Sequence, residues 1–70
     1  MTQPRTRNEY LLSILKNDLY RVQESIDILG DHIMSLQNQG FKVSKDSIDA
    51  FGYLNREEGR LEGLIYELTH

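Results

Sequence analysis

Apolar positions recur along this chain in alternating steps of three and four. Leu12, Leu15, Leu19, Val22, Ile26, Leu29, Ile33 and Leu36 make one such run, and every member is aliphatic. This is the a/d stripe of a heptad repeat, which keeps one face of a helix against a partner along a coiled-coil seam. A strand would need period two, and no segment shows it. A second stripe runs Phe51, Leu54, Leu61, Ile65 and Leu68, with Leu64 beside it. Glu58 stands where that heptad would place an apolar residue. The pattern predicts an all-α chain with a long helix over roughly 7–39 and a second over roughly 45–68.

The helix ends are also written locally. Thr6-x-x-Glu9 is a capping box, with Asn8 as a competing N-cap. Asn38-Gln39-Gly40 stops the first helix, with Gly40 as a left-handed C′ residue. Ser44 is the expected N-cap of the second, and Val43 and Ile48 can close a hydrophobic staple around it. Asp46 and Asp49 then sit near the positive end of the helix dipole. Only a few residues, 40–44, join the helices, and short connections make antiparallel neighbours. The expected architecture is an antiparallel helical hairpin over residues 6–70. A disordered polar arm, residues 1–5, precedes it and holds the single proline, Pro4.

Two helices of unequal length leave an overhang. Pairing them back from the turn brings Leu68 near Lys16, so residues 8–15 project beyond the second helix. Tyr10, Leu11, Leu12, Ile14 and Leu15 lie there. Burying five such side chains is worth on the order of 7–15 kcal/mol as an upper bound. A chain this small nets only about 3–5 kcal/mol from its own core. The overhang is therefore expected to be covered. A second protomer can pack on it, giving an oligomeric bundle. Alternatively the helix splits near Asn17 and Asp18, and a short first helix folds back. Leu11, Ile14, Ile28 and Met34 also fall outside the a/d stripe, a wider apolar band than one partner helix covers.

The second helix has a different peculiarity. Gly52, Gly59 and Gly63 fall within about 40° of one another on a helical wheel, almost opposite its apolar stripe. Each disfavours a helix interior by about 0.8–1 kcal/mol relative to alanine. Arg56 shares that sector, and Arg60 and Tyr66 flank it. Glycine lets another backbone or a flat ligand come close, and guanidinium forks grip anions. Arg56, Gly59, Arg60, Gly63 and Tyr66 are the expected partner- or ligand-binding face.

Composition narrows the chemistry. Seventy residues make one domain at most. There is no cysteine, hence no disulfide and no thiolate metal site. Eight basic residues against eleven acidic ones argue against non-specific duplex DNA binding. No apolar run approaches the roughly 18 residues of a membrane span, and no signal-peptide pattern appears, so no membrane partner and a cytoplasmic location are expected. Two histidines, His32 and His70, are too few for a zinc site. The five serines lie on helices or at a cap, without a local base and orienter for nucleophilic catalysis. Glu24-x-x-Asp27 and Glu57-Glu58 resemble the acidic pairs with which all-α nucleotide pyrophosphohydrolases hold magnesium. Here the chain order is reversed and Glu62 comes one residue late, so the acids read as a solvated face. Glu24 is expected to pair with Arg60 at a similar height in the hairpin.

The expected function is binding without catalysis and without a cofactor or metal: a small oligomeric adaptor, inhibitor or assembly subunit. Its first partner is itself, through residues 10–15. The alternative is a small-molecule sponge, sequestering an anionic nucleotide-like ligand between protomers with Arg56 and Arg60 on its phosphates. A nucleic-acid-associated regulator is the least supported reading.

Overall fold

The computed structural model describes residues 7–70, so the arm and the Thr6 end of the capping box lie outside the described residues. Two helices, α1 (Arg7–Asn38) and α2 (Lys45–Thr69), pack against each other as a hairpin. The molecule is a rod, 57 × 24 × 16 Å.

The turn is made by the residues the pattern singles out. Gly40 has φ 82°, the left-handed region that glycine enters without steric penalty. This lets the amide of Phe41 donate to the Leu36 carbonyl at 2.9 Å and that of Gly40 to the Gln37 carbonyl at 3.0 Å. These two bonds are the Schellman pair, and they satisfy carbonyls that the end of α1 would otherwise orphan. Ser44 then opens α2. Its backbone is extended, and its hydroxyl accepts from the Ser47 amide at 3.2 Å. The same hydroxyl donates to the Ser47 Oγ at 2.9 Å.

α1 is continuous, and the expected alternative of a split near Asn17 and Asp18 does not occur. Both residues lie exposed on the outer side of the helix. Leu15, Leu19 and Val22 carry the seam across them without interruption. A break there would give up intrahelical hydrogen bonds and the register of that seam together.

All eight residues of the α1 stripe are half-buried, and none is fully buried. Among the described residues Leu61 alone is buried, at 2 % exposure. Phe51, Leu54, Leu64, Ile65 and Leu68 are half-buried around it, as is Glu58 in its heptad position. Nearer the turn, Gly30 of α1 makes room for the Phe51 ring. A Cβ at Gly30 would stand 3.3 Å from Phe51 Cε1, tighter than ordinary contact. The helices are thus keyed at two levels, by Leu61 in mid-seam and by Phe51 on Gly30 towards the turn.

Leu61→Ala is expected to destabilise the hairpin by about 2–5 kcal/mol, as large as the stability a chain of this size holds. Ile28→Ala, on a side chain 66 % exposed, is expected to stay within about 0.5 kcal/mol of the parent. Urea denaturation followed by circular dichroism compares the two. Equal midpoints would show that the seam is not centred on Leu61.

Candidate functional site

Three surfaces stand out, and the antiparallel topology sorts them to the two ends of the rod. The first is the amino-terminal end of α1. Tyr10, Leu11 and Ile14 are exposed there, at 60 %, 38 % and 40 %. Leu12 and Leu15, on the stripe side, are half-buried. α2 has 25 residues against the 32 of α1, a difference of roughly 10 Å at 1.5 Å per residue.

The second is the outer face of α2, which ends beside the first. Space above Gly59 and Gly63 is open: a Cβ on either would meet nothing within 4 Å. Arg56 lies back over Gly52, its Nη1 3.6 Å from where a Cβ would stand. Arg56 forms no ion pair among the described residues. Arg60 does not reach Glu24. It pairs with Glu57 one turn back on its own helix, donating through both Nε (3.0 Å) and Nη2. An i,i+3 partner is held in reach by the helix itself, whereas a cross-helix pair must immobilise two long side chains. The hydrogen bond from Arg60 is the main reason the Glu57 carboxyl is held below the ordinary glutamate range; the positive charge adds to it, and partial desolvation opposes it. Arg60 is raised in turn, by the same hydrogen bond first. At the end of the face the Tyr66 and His70 rings stack at 4.1 Å and 15°. The sequence pattern did not single out that contact, although its i,i+4 spacing permits it.

The third surface was not anticipated as a site. Near the turn, an open groove of about 450 Å³ runs along one side of the hairpin. Ile26, Gly30, Ile33 and Met34 of α1 and Ile48 and Phe51 of α2 form its apolar floor and walls, and Asp27 and Asp31 its rim. Met34 and Ile48 are 61 % and 55 % exposed. The heptad pattern places Met34 off the stripe. Gly30 and Phe51 gave no such signal, because their meeting depends on the register between helices.

The acidic pairs do not converge. No group of three or more His, Asp or Glu side chains able to hold a metal ion occurs among the described residues. No helix among them is long and apolar enough to cross a membrane. In comparisons with protein-family models, curated proteins and solved structures, the chain shows no match.

Two outcomes follow from the α2 face. Gly59→Ala and Gly63→Ala should each raise the stability of an uncovered hairpin by about 0.8–1 kcal/mol, since only helix propensity changes. A loss of stability or of assembly in either variant would show the face packed in solution. Glu57 favours its ionised form in the folded chain. The pair's contribution is therefore present above the pKa of an unfolded glutamate and fades as pH falls through the lowered value. Carboxyl chemical shifts through an acid titration report this directly, and Arg60→Ala should return Glu57 to the ordinary range.

Proposed function

We propose that this chain is a non-catalytic binding protein, a self-associating hairpin that works as an adaptor, inhibitor or assembly subunit. The distribution of burial carries this reading. One side chain is buried among the described residues, while ten large apolar ones are exposed. A hairpin that leaves so much apolar surface in water is half of a core, and a second set of helices is the usual complement. In this reading residues 10–15 and the α1 flank supply the oligomer surface. The face of Arg56, Gly59, Gly63 and Tyr66 stays outward, with Arg56 as its uncommitted cation, to meet a target of opposite charge or a close-packed helix.

The sponge reading requires two guanidiniums on one anionic ligand. Arg60 is engaged by Glu57, so that ligand would have to displace a formed pair before gaining its second contact. This favours a protein surface as the target over a small anion.

Light scattering after gel filtration tests the proposal. The expected mass is a whole multiple of the chain mass, falling towards one chain on dilution. Arg56→Glu should leave that mass unchanged. A monomer at all concentrations would overturn self-association. A monomer produced by Arg56→Glu alone would make the α2 face part of the oligomer contact instead of a free binding face.

A further inference from the structure

α1 carries two depressions at matching heptad positions. Glu9, Leu12, Ser13 and Lys16 line one, of about 330 Å³. Gly30, Ile33, Met34 and Gln37, three heptads further along, lie in the groove beside Phe51. A fixed heptad spacing keeps both sets on one supercoiling strip of the helix. Leu19, Tyr20, Gln23, Ile26 and Asp27 connect them. The two sets are also mirror-related about Gln23. Turned end over end, α1 places Glu9 opposite Gln37, Leu12 opposite Met34, Ser13 opposite Ile33 and Lys16 opposite Gly30.

The charges match this arrangement. Residues 7–22 hold Arg7, Lys16 and Arg21 against Glu9 and Asp18, a net +1. Residues 23–38 hold Glu24, Asp27 and Asp31 with no Lys or Arg, a net −3. Lys16, Asp27 and Asp31 form no ion pair among the described residues. A parallel pairing of two copies would set the acidic halves side by side, and an antiparallel one sets each against the more basic half. Space agrees as well. α2 is seven residues shorter than α1, and the antiparallel pairing brings the start of a partner's α2, where Ile48 is exposed, to the first turns of α1.

We propose that a second copy of this chain docks antiparallel along this strip of α1, with a two-fold axis at Gln23, so that the Leu12–Lys16 segment of each copy lies along the Phe51 groove of the other and its side chains enter that groove. The contact is isologous, as a two-fold dimer requires. Each Lys16 sits at the Asp27–Asp31 rim of its partner. The inference rests on the self-association reading and adds to it a register and an orientation; of residues 10–15 it uses Leu12 and Ser13, and Tyr10, Leu11, Ile14 and Leu15 lie off this strip.

The chain has no cysteine, so introduced thiols report the register. A disulfide needs Cα atoms within about 7 Å. Gln23→Cys is expected to link to its own copy under mild oxidation, and Ser25→Cys, on the other side of α1, to stay reduced. Ser13→Cys should not link to itself, because two copies of that site lie roughly 30 Å apart along the axis. It should link to Met34→Cys when the two variants are mixed. Lys16→Glu should weaken the dimer about tenfold, with Asp27→Lys and Asp31→Lys together restoring it. A dimer that links through Ser25→Cys, or through Ser13→Cys alone, would overturn this register and leave self-association standing. A Lys16→Glu dimer of unchanged affinity would overturn the contact between Lys16 and the acidic rim. A parent chain that stays monomeric would overturn both readings.

Discussion

Two packed helices shield one stripe on each other and leave the flanks of that stripe in water. This chain meets that limit along its whole length. Its a/d positions on α1 are half-buried, and among the described residues only Leu61 of α2 is closed off from solvent. Hydrophobic stabilisation scales with the apolar area removed from water. A core that is shielded only on the inner side collects a fraction of what the same residues would give in a bundle. The rest of the molecule follows from this. The seam is long enough to align α1 and α2, and too thin to complete a core alone.

The asymmetries of the hairpin convert that shortfall into specific surfaces. α1 is longer than α2, so its first turns extend beyond the length of α2. Near the other end Phe51 leans on Gly30, and the helices open into a groove beside it. The Leu12–Lys16 segment and that groove lie on the same strip of α1. Charge is segregated along α1 in the same sense. On the outer face of α2 the space above Gly59 and Gly63 is open among the described residues.

Much of this was legible in the sequence because it is local. The stripe from Leu12 to Leu36, the stop at Gly40 and the start at Ser44 each depend on neighbours within a turn or two. The structure places them where the pattern does. What escaped depends on the register between helices. Gly30 looks like a weak point in a good helix until Phe51 is seen beside it. Height along the hairpin matches Arg60 to Glu24, yet Glu57 is in reach on the same helix and takes it. The split near Asn17 and Asp18 was suggested by two good capping residues, and the continuous seam through Leu15 and Leu19 outweighed them. The strip around Gln23 was hidden for a related reason. It mixes Lys16, Gln23 and Gln37 with apolar residues, so it carries no run that a hydrophobic pattern would mark.

In the proposed assembly a second copy of the chain completes the core that this hairpin leaves open. A contact made only by the folded chain couples folding to concentration, because association stabilises the native state by mass action. The most direct measurement is the thermal midpoint across about a hundredfold range of chain concentration, followed by circular dichroism. The midpoint is predicted to rise steadily with concentration, and to rise less at high salt, which screens the Lys16 and Asp27–Asp31 contacts. A sharp, fully reversible transition whose midpoint does not move with concentration would contradict the claim, since it would mean that the two helices are sufficient alone.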